Sequence, residues 1–374
     1  MTPRVVPYFL PMFADTLLQW FDTHKRDLPW RGETDPYRIW VSEIILQQTR
    51  VAQGIDYYRR FLEAFPNVAA LARADEAAVL KVWQGLGYYS RARNMHAAAR
   101  SIMDEHGGRF PADYAGIRQL KGVGDYTAAA IGSIAFGLPH PAVDGNVLRF
   151  VARYQGIFDN IAADTTRRQI ADLCGQWLSA DRAGAFNQAM MEMGATLCTP
   201  KSPDCSHCPF ADQCYAHLHE QTEQLPFKSL NVKVKERFFH YLVPLFQEQT
   251  ILQRRSHDDI WKNLFEFPLV EQESEHFEID IYLKNNHIET SAPPQRFWQT
   301  KHVLTHRNIY AYFYLVPVKR LPKPTADQMV VKISELKNYA VAKVTERAIG
   351  ILLGDDSTAQ LQLDFNPKNP SRPC

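Results

Sequence analysis

Four cysteines stand close together near the middle of this chain: Cys198, Cys205, Cys208 and Cys214, spaced C-x6-C-x2-C-x5-C. Thiolates gathered on one short loop make a cage for a soft metal centre. Zinc and a [4Fe–4S] cluster are the two candidates. Zinc sites more often pair two short C-x2-C hooks. This loop has one hook and two wider arcs, which favours iron–sulfur.

Two carboxylates stand where they could move protons or face a cation. Glu43 lies in PYRIWVSEIILQQT, among Tyr37, Trp40, Ile44 and Ile45. A carboxylate at the margin of such an apolar face costs energy when ionised, so its pKa is expected to rise. It would then give a proton at neutral pH. Asp144, in AVDGNV, stands just before a helix expected from about Asn146. It can cap that helix, whose dipole favours the anion. Between the two lies LKGVGDYT, a turn through Gly122-Val123-Gly124. Both glycines can take positive φ and admit close backbone approach. The outward amides of such a turn suit a phosphate. Taken singly, each feature has a plainer origin: a half-exposed glutamate, a helix cap, a tight corner between helices.

The elements that must carry these groups divide into two textures. Apolar residues recur at helical spacing in RIWVSEIILQQTRVAQGIDYYRRFLEAF and DTTRRQIADLCGQWL, so residues from about 12 to 220 read as helical. QLPFKSLNVKVKE then reads as a linker. Beyond it RFFHYLVPLF, TILQRR, KHVLTH and NIYAYFYLVPV carry strand signals, while SEHFEIDIYLKNN and ISELKNYAVAKVTERAIGILL read as helices. The expected domains are 1–220, helical with the cysteine loop; 221–236, a linker; 237–365, α+β; and 366–374, a disordered tail.

At 374 residues, two domains are the default. A net charge of +1 gives no sign of a nucleic-acid partner, although a basic face is invisible to the sum. No stretch is long and apolar enough to span a bilayer. Pro3, Pro7 and Pro11 interrupt the apolar start, which reads as mature protein in the cytosol. In a reducing compartment, four clustered cysteines beside two separate ones, Cys174 and Cys374, favour metal over disulfides.

Taken together and in this order, the hairpin LKGVG, Asp144 and the cysteine loop resemble the helix-hairpin-helix DNA glycosylases with an iron–sulfur loop. Lys121 stands where that superfamily usually has proline. Endonuclease III-type members cut the backbone through a lysine two residues after the second hairpin glycine. Tyr126 occupies that place, and a phenol forms no imine. RDLPWR at 26–31, WQGLGYYSRARN at 83–94, VDGNV at 143–147 and AFNQAMMEMGA at 185–195 are similar to MutY-type adenine DNA glycosylases. IWKNLFEFP at 260–268 resembles that family's MutT-like domain, without a recognisable Nudix catalytic box.

The resemblance implies a monofunctional enzyme that removes adenine opposite 8-oxoguanine or guanine in double-stranded DNA. It implies a [4Fe–4S] cluster on the four cysteines, with a structural role: holding a loop with Lys201 against the DNA backbone. Glu43 would be the general acid. Asp144, kept ionised with a low pKa, would stabilise the sugar cation by charge or by a transient bond. Tyr126 and Asn146 would hydrogen-bond around them. Arg26, Trp30, Arg31, Leu46 and Gln188 would form the adenine pocket. Gln48, Thr49, Leu86, Tyr88, Gly122 and Gly124 would meet DNA, with Gln48, Leu86 and Tyr88 wedged beside the lesion. In the second domain, Leu304-Thr305-His306 stands for a Phe-Ser-His loop, with Thr305 and His306 toward the lesion and the aromatic missing. A monomer fits recognition of a single lesion, and no membrane partner is expected.

Overall fold

The structure, a computed structural model, describes residues 10–229 and 234–355. The expected tail at 366–374 and residues 1–9 of the apolar start lie outside the described residues, as does Cys374. By contact density, residues 10–74 and 93–229 form one unit, and residues 75–92 and 234–355 another. The fold class is the expected one, a helical unit and an α+β unit.

The first unit is helical throughout. Helices α1 (Leu10–His24), α2 (Pro36–Leu46), α3 (Val51–Ala64) and α4 (Val68–Arg73) come first. After α5 (Glu76–Trp83), which belongs to the other unit, follow α6 (Ser90–Glu105), α7 (Tyr114–Gln119), α8 (Asp125–Phe136) and α9 (Gly145–Gln155). α10 (Asp164–Trp177), α11 (Ala183–Thr196) and the short α12 (Tyr215–Leu218) complete the set. Asp35 starts α2 by accepting from the Tyr37 amide, with Pro36 in the first turn, where its missing N–H costs nothing.

α8 packs against both α2 and α11. Its buried Ala128, Ala129 and Ala130 let those backbones come close. α9 packs on α11 through Gly194, where an added Cβ would lie 2.6 Å from the Asn146 Cβ. Phe210, inside the cysteine loop, is buried and stacks on Phe13 of α1 with ring centroids 4.6 Å apart. The loop is therefore pinned into the main core. Within the expected linker, Leu225 is buried and its carbonyl accepts from Arg153 Nε at 2.8 Å.

The second unit holds two sheets. One has the order β4-β1-β6-β5, from β1 (Lys235–Leu245), β4 (Leu269–Gln272), β5 (Gln295–Leu304) and β6 (Arg307–Pro317). β1 and β6 run parallel, with Tyr241 opposite Phe313. The other has the order β3-β2-β7, from β2 (Gln249–Arg254), β3 (Phe265–Glu266) and β7 (Gln328–Lys332). Phe239, Tyr241, Phe297 and Phe313 fill the core. α13 (Ile279–Asn285) is shorter than the segment expected to be helical. ISELKNYAVAKVTERAIGILL is not one helix either. A 3-10 turn covers Ile333–Asn338, and α14 (Lys343–Leu352) starts only after a break. Val341 lies in that break, bridging to Phe265, and is buried. Strand-like pairing there outweighs the helical periodicity.

Candidate active site

α2, α8, α9 and α11 wall a cavity of about 1010 Å³. Glu43, Tyr126, Asp144 and Asn146 line it together. So do all five residues expected for the base pocket, Arg26, Trp30, Arg31, Leu46 and Gln188. Gln48 and Thr49 stand at the same cavity, just beyond the end of α2.

Glu43 is buried on α2. The Tyr126 hydroxyl donates to its Oε2 at 2.6 Å. Burial pushes the Glu43 pKa up to about 7, the neighbouring Asp144 charge adds to the rise, and the Tyr126 bond and the Arg31 charge oppose it. The carboxyl is thus balanced between its two protonation states near neutrality, as a general acid requires.

Asp144 caps α9. Its Oδ1 accepts from the amides of Asn146 and Val147, each at 2.8 Å, and its Oδ2 accepts from Asn146 Nδ2 at 2.8 Å. The expected low pKa is not what results. Burial raises it, and the three hydrogen bonds and the Arg149 charge only partly offset that rise. Both carboxylates are therefore shifted upward. Asn146 is held in turn, because Arg149 Nη2 donates to its Oδ1 at 2.9 Å.

A buried carboxylate that the sequence pattern did not single out lines the same cavity beside the base-pocket residues. Glu192, one turn beyond Gln188 on α11, is 2% exposed. Arg26 Nε donates to its Oε1 at 2.6 Å and Arg31 Nη2 to its Oε2 at 2.6 Å. Burial disfavours its charge, but the Arg26 hydrogen bonds and the charges of both arginines hold its pKa below the ordinary value. The signal for it was an i, i+4 pair of polar residues, Gln188 and Glu192, in the mostly apolar AFNQAMMEMGA.

Gly122 and Gly124 lie away from this cavity, in the turn between α7 and α8. Gly122 has φ +82°, and a Cβ there would meet Asn94 at 2.7 Å. Gly124 has a negative φ, so only one of the pair needs the left-handed region. Nothing lies within 4 Å of a Cβ on Gly124, which leaves its backbone open to approach. In the second unit, Leu86 is buried, and a buried side chain is not presented as a wedge. Tyr88 is 50% exposed with φ +46°, and its hydroxyl lies 2.8 Å from Thr305 Oγ1. Thr305 and His306 form the two-residue turn between β5 and β6. Leu304, in the place of the missing aromatic, packs toward the unit's core.

Cys198, Cys205, Cys208 and Cys214 form no disulfide and line one small cavity with Phe150, Arg153 and Leu197. Among the described residues, no three His, Cys, Asp or Glu side chains are placed to hold a single metal ion. Four soft donors around one cavity nevertheless fit an iron–sulfur group by donor chemistry. The loop is closer to the chemistry than its sequence position suggests. Arg149 Nε donates to the Cys198 carbonyl at 2.7 Å, and the same guanidinium reaches Asn146.

Residues 41–176 match the HhH-GPD superfamily of base excision DNA repair proteins, and residues 240–350 match the NUDIX domain. The chain is 30% identical to the adenine DNA glycosylase of Buchnera aphidicola subsp. Schizaphis graminum, over 89% of this chain and 91% of that one. It is 44% identical to the adenine DNA glycosylase of Mus musculus over 57% of this chain and 43% of that longer protein. Among solved structures, a thermostable thymine-DNA glycosylase superposes with a TM-score of 0.52 at 28% identity, covering 56% of this chain and 96% of that one. Among the described residues, no helix is long and apolar enough to cross a membrane.

Proposed function

The chain belongs to the adenine DNA glycosylase family of base-excision-repair enzymes, and from that premise we propose that it hydrolyses the N-glycosidic bond of adenine mispaired with 8-oxoguanine, or with guanine, in double-stranded DNA. The observation that carries this is the pairing of Glu43 with Asp144 on one cavity, with Glu43 lifted to about 7.

A base inside the duplex is shielded, so the adenine must leave the stack to reach the cavity. Adenine is a poor leaving group and departs only when protonated. Glu43, half protonated near neutrality and steadied by Tyr126, is suited to supply that proton and later to position water. The sugar left behind becomes an oxocarbenium-like cation. Asp144, fixed by three hydrogen bonds, is suited to face that charge from below. Asn146 keeps the carboxylate oriented. Tyr126 stands where a lyase would have its lysine, so the reaction ends at the abasic site.

Cys198, Cys205, Cys208 and Cys214 would hold a [4Fe–4S] cluster, whose contribution is structural, since no carbonyl or water needs metal activation here. In the second unit, Thr305 beside Tyr88 offers hydroxyls for reading 8-oxoguanine. The protein is expected to act as a monomer.

The test is a duplex with one adenine opposite 8-oxoguanine, incubated with the protein and then treated with alkali. Strand cleavage at the adenine that needs alkali supports the proposal. Cleavage without alkali would indicate a lyase, and binding with no cleavage would sink the enzymatic reading.

A further inference from the structure

Glu192 is tied up in a way that adenine binding alone does not explain. Both its oxygens are committed to arginine. Oε1 accepts from Arg26 Nε at 2.6 Å and from the Arg26 amide at 3.1 Å. Oε2 accepts from Arg26 Nη2 at 3.1 Å and from Arg31 Nη2 at 2.6 Å. Arg31 then uses its other terminal nitrogen to donate to Gln188 Oε1. Arginine carries donors only, so the Gln188 atom facing it must be the oxygen. The Gln188 NH2 is thereby the half of the amide left for the cavity that Gln188 lines.

We infer that Glu192 is a positioning residue: by holding Arg31 it presets the Gln188 amide with its NH2 toward the base, so that the pocket selects a base edge presenting an acceptor. Without Glu192, Arg31 regains its freedom and the amide can turn either way. A turned amide would offer its oxygen and tolerate a donor edge instead. The inference rests on the proposed reading that an adenine occupies this cavity.

The experiment is a double-mutant cycle on the full chain, with the A:8-oxoguanine duplex under single-turnover conditions. Excision by the unaltered protein checks the reading itself; its absence would sink that reading rather than this inference alone. Glu192→Gln keeps the shape and removes the charge. The excision rate should fall roughly 10- to 100-fold, the loss typical of a misplaced positioning group. Affinity for the duplex should stay within about threefold, because the change is in orientation and not in the DNA-binding surface. In a Gln188→Ala background the same change should cost less than about threefold, because Glu192 acts through that amide. An unchanged rate in Glu192→Gln, or an equal further loss on top of Gln188→Ala, would overturn the inference. Glu192 is buried, so Glu192→Asp carries the same cycle if Glu192→Gln does not fold. It retains the charge, and an intermediate rate with the same non-additivity is expected.

Discussion

The Tyr126 hydroxyl donates to Glu43 Oε2 across 2.6 Å, joining the helix after the hairpin turn to the middle of α2. The bond stabilises the ionised form of Glu43 and opposes the rise that burial imposes. In the proposed mechanism only protonated Glu43 is active as the acid. Excision should therefore fall as pH rises through about 7. Tyr126→Phe removes the donor, so the Glu43 pKa should rise further and the alkaline limb should move to higher pH. Single-turnover rates across pH check this, and an unmoved limb would separate Glu43 from that titration.

Glu43→Gln should abolish turnover and leave mismatch binding intact. It should also change stability, in a direction set by linkage. A carboxyl whose folded pKa is raised stabilises the fold fully below its unfolded pKa. That contribution is lost as pH rises through the folded value, here about 7. Above it, the fold carries a buried charge costing on the order of 3 kcal/mol. Glu43→Gln should thus melt higher than the parent at pH 8 and show little gain at pH 4. Equal melting at both values would mean that the carboxyl is not held protonated by burial.

Asp144→Asn tests charge apart from structure. Asparagine caps helices about as well as aspartate, so α9 should persist. In the proposed mechanism this removes the charge that faces the sugar cation, and excision should fall by roughly 10²- to 10³-fold, the usual cost of losing one preorganised electrostatic group. Circular dichroism and single-turnover rates measured together decide this. In the parent, the burial-raised pKa of Asp144 implies that activity also declines at acid pH, as the carboxylate takes up a proton. The profile should be a bell.

Much of this site was legible in the sequence, because its parts carry local signatures. An aspartate before a helix, a glycine turn and four spaced thiols each state their geometry within a few residues. The fate of Asp144 was not legible. The capping argument is local and gives a low pKa, whereas the desolvation that reverses it is no part of the capping motif. Glu192 was hidden for the same reason, since its partners lie 161 and 166 residues away. In the second unit, Leu86 carries the right residue type for a wedge, yet the turn buries it. The helical period of the last segment was real over Lys343–Leu352 and misleading before it, where Val341 pairs like a strand residue.

The cysteine loop is expected to bear on both folding and rate. With the proposed cluster on this loop, Cys208→Ser would replace a soft ligand by a hard one and should lower iron content per chain and the thermal midpoint. Because Arg149 bridges the Cys198 carbonyl and Asn146, excision by the folded fraction should slow as well. Iron assay, melting and active-site titration separate the two effects. A folded fraction with the parent rate would mean that the bridge does not transmit the disturbance.

Gly194 gives the sharpest packing test. It sits in α11 where α9 crosses, and a Cβ there would fall 2.6 Å from both the Asn146 Cβ and the Asn146 carbonyl oxygen. No flexible side-chain end is available to yield, since one of those atoms is backbone. In an isolated helix, Gly→Ala would stabilise by up to about 1 kcal/mol. Here, overpacking should reverse the sign and cost roughly 1–3 kcal/mol. The displaced residue is the one whose amide and side chain both hold Asp144. Gly194→Ala should therefore lower the melting temperature and, at temperatures where it remains folded, slow excision while mismatch binding persists. Gly194→Ala with parental stability would mean that α9 and α11 can separate freely. If it melted early yet excised adenine at the parental rate per folded molecule, the position of Asn146 would be immaterial to the chemistry.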